Sequence, residues 1–156
     1  MKRARRILFA TDFSRASRAA WEEAVAMGKA DRCPIIIAHV LRVPVPFTPD
    51  GYLLPQTLDE LEAAVRKDAA KELESLLTKT SKAGVRAQGL LLRGRPEEAI
   101  PRAAKKHDAD LVIVGTHGRT GLPRLILGSV ASRIIAAAPC PVLAVPGRSR
   151  SKGGRR

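Results

Sequence analysis

The sequence is poor in the residues that build several common kinds of site. Among 156 residues there are two cysteines, Cys33 and Cys140, far apart and in no CxxC pair, which excludes a disulfide framework and a cysteine-rich zinc site. Both stand beside prolines at strand-like starts and read as small buried fillers. Aromatics make up 3% of the chain, one Trp, one Tyr and three Phe, too few to offer a stacking platform for nucleic-acid bases. No 18-residue apolar stretch occurs, and the run Ile7-Leu8-Phe9-Ala10 breaks at Thr11-Asp12, short of the apolar region of a signal peptide or membrane span. A soluble, cytoplasmic protein with no membrane association is expected. Neither GxxxxGK[ST] nor GxGxxG is present, which disfavours P-loop hydrolysis and a standard dinucleotide site.

Positive charge, by contrast, is abundant. There are 28 Lys and Arg against 15 Asp and Glu, a formal net charge of +13. Its distribution decides its meaning: residues 1–6 hold four basic residues and residues 147–156 hold five, with no acid in either, so residues 7–146 carry only +4. Such ends read as solvated tails, 1–5 and 147–156, flanking one domain over 6–146. Sequence-independent, salt-sensitive contact with nucleic acid through those tails is the lesser alternative. The length and an apolar fraction of 45% suit one domain with its own core.

Short apolar runs alternate with helical stretches. The spacing predicts strands at Ile7–Ala10, Pro34–Val40, Val85–Leu92, Ala109–Val114 and Pro141–Val145. Between the first two, Ser14 is a candidate N-cap for a helix ending at Gly28. Residues 41–57, with Pro44, Pro46, Pro49 and Pro55, read as an irregular excursion before an amphipathic helix from Leu58 to about Gly84. A helix opens at Pro96-Glu97-Glu98, and the last runs from about Gly128 to Ala138. Strands that are apolar throughout imply a parallel sheet covered on both faces, a three-layer α/β architecture. Ligands bind such sheets beyond the carboxyl ends of the strands. The segments at issue are Thr11-Asp12-Phe13-Ser14, Val40-Leu41-Arg42, and Gly115 to Ser129.

The last of these is glycine-rich and leads from a strand into a helix, a setting in which backbone approaches a ligand closely and helix-start amides face an anion. Ser129 adds a hydroxyl that suits either a helix cap or a phosphate oxygen. The spacing Gly115-x-x-Gly118, nine residues, then Gly128-Ser129 matches the G-2x-G-9x-G-[S/T] pattern of the ATP-binding branch of the universal stress protein family. Ile7 to Ser14, Ala109 to Arg119 and Pro139 to Val145 resemble that family too, so that the resemblance covers residues 6–146.

The resemblance implies a Rossmann-like sheet (adenine nucleotide alpha hydrolase-like) of five parallel strands in the order 3-2-1-4-5, with ATP across the switch point between strands one and four. It implies that adenine lies near Ala10, Thr11, Asp12 and Val40, ribose near Val114 and Gly115, and phosphates near Gly118, Arg119, Gly128, Ser129 and Val130, with His117 in the same loop. It departs at Ala10, where proline is frequent in the family. The lesser alternative for Asp12 is a helix cap alongside Ser14, while His39 reads as a satisfied core histidine and Asp110 as structural at the amino end of its strand. No nucleophile with a base is identifiable by spacing, so slow or absent hydrolysis is expected, and Mg²⁺ would arrive with the nucleotide. The family also pairs through its last strand, here Val142, Leu143, Ala144 and Val145, implying a homodimer. The competing view is a nucleotide-free interaction module whose glycine loop is only structural.

Overall fold

The computed structural model describes residues 4–43, 55–116 and 127–147. Elements follow in the order β1 (Ile7–Ala10), α1 (Ser17–Asp31), β2 (Ile35–Val40), α2 (Pro55–Lys82), β3 (Ala87–Leu92), α3 (Pro96–Lys106), β4 (Leu111–Gly115), α4 (Ser129–Ala137) and β5 (Val142–Val145). All neighbouring strands pair in parallel, and the sheet order is β3-β2-β1-β4-β5, the order the resemblance implied.

Alternation along the strands sorts the core into two layers. Ile7 and Phe9 of β1, with Ile35, Ile37, Leu111 and Ile113, pack against Ala20 and Ala24 of α1 and Leu73 of α2. Leu8, Ile36, Ala38, Val112 and Val114 face the other way, against Ala99, Ile100, Ala103 and Ala104 of α3 and Ala131 and Ile134 of α4. Helices thus cover both faces, which is why the strands are apolar throughout. The first face is locked by a polar link: Trp21 Nε1 donates to Thr80 Oγ1 at 3.0 Å, and the Thr80 hydroxyl donates to the Leu76 carbonyl at 2.7 Å.

Several boundaries differ from expectation, each for a local reason. Pro34 and Pro141 stand just outside β2 and β5. Their carbonyls accept from Ile7 and Val112, but proline has no N–H to continue the ladder. Val85 belongs to the exit of α2, donating to Thr80 O, and β3 begins two residues later. Ala109 closes α3 by donating to Ala104 O. Helix α1 runs through Gly28 to Asp31, and Arg32 takes the left-handed turn at φ 55°. Gly28 serves packing instead of termination, since a Cβ there would lie 3.0 Å from Val85 Cγ1. Pro55 opens α2 instead of belonging to the excursion, as its fixed φ suits a first helical position.

Residues 4 and 5, expected in a tail, are docked. Ala4 is buried in the core, its N–H donating to Asp31 Oδ2 at 2.9 Å. Asp110 Oδ2 accepts from the backbone N–H groups of both Arg5 and Arg6. Cys33 is buried but Cys140 is only partly so. Partial burial, reinforced by Asp110, pushes its thiol pKa up, which favours the protonated thiol. Among the described residues no helix is long and apolar enough to cross a membrane.

Candidate functional site at the carboxyl edge of the sheet

Beyond the carboxyl ends of β1 and β4 lies a cavity of about 780 Å³, within the range of small-molecule sites. Its position follows from the strand order. The chain leaves β1 toward one face and β4 toward the other, so their connections diverge and leave a crevice between them.

The floor comes from β1 and β4, through Ala10, Val114 and Gly115. Thr11 and Asp12 continue from β1 into a turn fixed by its own side chains. Phe13 N–H donates to Thr11 Oγ1 at 3.0 Å, and Ser14 N–H to Asp12 Oδ1 at 3.0 Å. Phe13 takes φ +60°, a conformation that costs a non-glycine residue about 1–2 kcal/mol. Its ring is held on that of His39, centroids 4.2 Å apart. His39 Nδ1 lies 2.8 Å from the Thr11 carbonyl. A carbonyl only accepts, so Nδ1 carries the proton. Ser14 does not cap α1 at its first residue. Its Oγ accepts from Ser17 N–H at 3.3 Å within the preceding turn, and the helix begins at Ser17.

Helix α4 supplies the opposite wall through Ser129, Val130, Ala131 and Ile134. Its first intrahelical bond runs from Ser132 N–H to Gly128 O, so the amides of Ser129, Val130 and Ala131 lie ahead of the helical ladder. Among the described residues no side chain caps this end, and no acid stands in its first turn. The expected capping role of Ser129 is therefore not taken up, because Ser129 is already inside the helix with Gly128 in the cap position. Gly128 N–H donates to Thr116 O at 2.9 Å, and a Cβ at Gly128 would meet that same carbonyl at 2.9 Å. Only glycine brings the two chain segments this close. Arg133 of α4 bonds Glu97 of α3 at 3.0 Å, orienting the helix. The backbone N–H of Glu97, then Arg133 and Arg95, hold the Glu97 carboxyl below its usual pKa, against some desolvation.

Nine of the twelve expected site residues, Ala10, Thr11, Asp12, Val40, Val114, Gly115, Gly128, Ser129 and Val130, line this one cavity. His117, Gly118 and Arg119 lie outside the described residues. Sequence reasoning passed over a whole wall: Val65, Asp68, Ala69 and Glu72 of α2. The signal was length. At 28 residues α2 extends about 42 Å, against about 20 Å for a six-residue strand, so its first half must stand past the sheet edge. His39, expected in the core and hydrogen-bonded there, also borders the cavity, as does Arg42. The charged groups on the described walls are Asp12, Asp68 and Glu72 against Arg42. Among the described residues no three His, Cys, Asp or Glu side chains are arranged to hold a metal.

A doubly wound parallel sheet with a pocket at its switch point defines a Rossmann-like α/β protein. The universal stress protein family model matches residues 3–146, and the chain belongs to that family. It is 33% identical over 144 residues to universal stress protein YxiE of Bacillus subtilis, covering 90% of this chain and 97% of the relative. It superposes on universal stress protein UspA from Lactobacillus plantarum with a TM-score of 0.80 at 26% identity, over 93% of this chain and 99% of that one.

Proposed function

We propose that this universal stress protein binds ATP at the β1/β4 switch point and acts as a nucleotide-responsive stress protein with slow or no hydrolysis. The observation that carries the reading is the start of α4, where no described side chain caps the helix and Ser129, Val130 and Ala131 line a cavity of nucleotide size. Helix-start amides and the positive end of the helix dipole favour phosphate at that place. On this reading the phosphates lie against Gly128, Ser129 and Val130, with Gly118 and Arg119 completing the loop. The ribose rests by Val114 and Gly115, and the base sits between Val40 and the Ala10-Thr11-Asp12 turn.

Two solved members of this fold support an adenine nucleotide as ligand class. One is a universal stress protein in complex with cAMP, with TM-score 0.67 at 22% identity. The other is a family protein from Arabidopsis thaliana with AMP bound, with TM-score 0.61 at 20% identity. At that identity they speak for the fold, and the assignment to this chain rests on its own cavity. Slow or absent hydrolysis is part of this reading: Thr11 and Ser17 bond each other at 3.0 Å and His39 directs Nδ1 at the Thr11 carbonyl, so these groups are engaged within the fold. Mg²⁺, if used, comes with the triphosphate. The reading includes a homodimer through β5, which pairs only with β4 among the described strands and leaves Val142–Val145 partly exposed.

The test is to denature the purified protein, separate released small molecules by anion exchange, and titrate the nucleotide-free protein with ATP. Co-purified adenine nucleotide or saturable ATP binding is expected. Neither, up to millimolar ATP, would favour the nucleotide-free module.

A further inference from the structure

The mild charge of the folded chain conceals an asymmetry along the strand direction. Crossover helices run against the strands of a parallel sheet, so the last turns of the helices and the connections that follow them gather at the amino edge. With the lead-in to β1, these stretches hold Arg5, Arg6, Arg32 and Arg86 and, in the last turns, Lys29, Lys79, Lys82, Lys105 and Lys106, against Asp31, Asp108 and Asp110. Nine basic residues thus stand against three acids there, whereas the remaining described residues hold ten Lys and Arg against eleven Asp and Glu. The whole positive excess of the described chain sits at one edge.

Pairing is just as uneven. Arg18, Arg93, Arg95, Arg102 and Arg133, all away from this edge, are in ion pairs, and among the described residues no Lys or Arg of the amino edge is. Its acids are engaged by backbone: Asp31 accepts from the Ala4 amide, and Asp110 from those of Arg5 and Arg6. Arg5, Arg32 and Arg86 line one cavity of about 1020 Å³. They precede β1, β2 and β3, three neighbours in the sheet, so their backbones form a row about 10 Å long. That row is fixed: the Arg86 carbonyl accepts from Ile35 N–H at 2.9 Å, and Arg32 N–H donates to Lys29 O at 3.2 Å. The left-handed φ of Arg32, 55°, is one that glycine adopts at least cost. The lysines of the last turns already complement the helix dipoles, so an arginine in a glycine's place has to serve something else.

We infer that the amino edge is a docking surface for double-stranded nucleic acid, held through its phosphates without reading the bases. Guanidinium forks match phosphate oxygens in pairs, and a row of unpaired cations on a rigid edge is the electrostatic footprint of backbone binding. The duplex fits better than a single strand because its bases are stacked out of reach, and no aromatic residue lines this cavity to receive an exposed base. The surface is independent of the nucleotide-site reading, which concerns the opposite edge.

Fluorescence anisotropy with a labelled DNA duplex of about 20 base pairs, long against the roughly 10 Å row, tests this on the full chain over a series of salt concentrations. The edge variant carries Arg32→Gly, Lys82→Gln and Arg86→Gln. A control variant, Arg15→Gln, Arg66→Gln and Lys67→Gln, removes the same charge from exposed positions elsewhere. Both keep the basic residues at the two chain ends, and circular dichroism checks that both are folded. In low salt the wild type binds with an affinity on the order of micromolar, the edge variant binds at least about tenfold more weakly, and the slope of log affinity against log salt becomes shallower by about two to three. The control stays within about twofold of wild type, since none of its positions faces the phosphates. Equal loss in the two variants overturns the surface, by making the contact one of total charge or of the chain ends. An edge variant that binds as the wild type does overturns it as well. So does a wild type that prefers the single strand, or vesicles of anionic lipid, to the duplex.

Discussion

The two edges of one sheet are finished in opposite ways. At the amino edge the polar groups are closed off internally: Asp31 accepts the Ala4 amide, Asp110 accepts those of Arg5 and Arg6, and the Arg6 guanidinium donates to the His107 carbonyl. At the carboxyl edge α4 begins beside a cavity with no capping side chain among the described residues. Both edges have carboxylates within reach, so the contrast is one of deployment. At the amino edge side-chain carboxylates take up the backbone donors, and at the start of α4 no described side chain does so.

The sharpest way to break the contrast is Gly128→Val. The new side chain meets Thr116 O, which no rotamer avoids, so the loop base opens. ATP affinity is expected to fall at least a hundredfold, about 2.7 kcal/mol, as read by calorimetry, while the circular dichroism spectrum keeps its helical signal. Asp110→Ala strikes the other edge. It strands two amides near the surface and should cost about 1–2 kcal/mol, seen as a fall of roughly 2–8 °C in Tm, with ATP affinity within twofold of wild type. An equal loss of binding would show the edges to be coupled. Ser129→Asp should exchange the two properties: a first-turn carboxylate stabilises α4 by about 0.3–1 kcal/mol, raising the Tm of the nucleotide-free protein slightly while weakening ATP binding several-fold.

The smallest effect is at Glu97. Its folded pKa is depressed, so its contribution is present above the unfolded value and is lost as pH falls through the folded one. In urea titrations the stability advantage of wild type over Glu97→Gln should be constant above about pH 5 and decline below the usual glutamate range. An advantage that instead grew with acid would reverse the assignment.

How far the sequence could be read follows the same division. The strands were legible because β1, β2 and β4 are covered on both faces and their burial leaves unbroken Ile, Leu and Val. Gly128 and Asp12 were legible through the resemblance to the universal stress protein family, whose glycine spacing and opening strand and loop they match. The wall of α2 was not: Val65 and Ala69 carry the same stripe that packs the core at Leu73, and periodicity alone does not mark where a helix outruns its sheet. The start of α1 was blurred because Ser14 caps a turn ahead of the helix, and the docking of Ala4 was hidden because its acceptor, Asp31, lies 27 residues away.

The hydrogen bond from Gly128 to Thr116 has an evolutionary consequence. It holds the end of β4 against the start of α4, whatever the sequence that connects them. Because the closure entropy of a loop grows only by about 0.6 kcal/mol for each doubling of its length, descendants of this chain can change the number of residues between Thr116 and Gly128 at little entropic cost. Ligand preference can then drift while the fold stays fixed, provided Gly128 is kept.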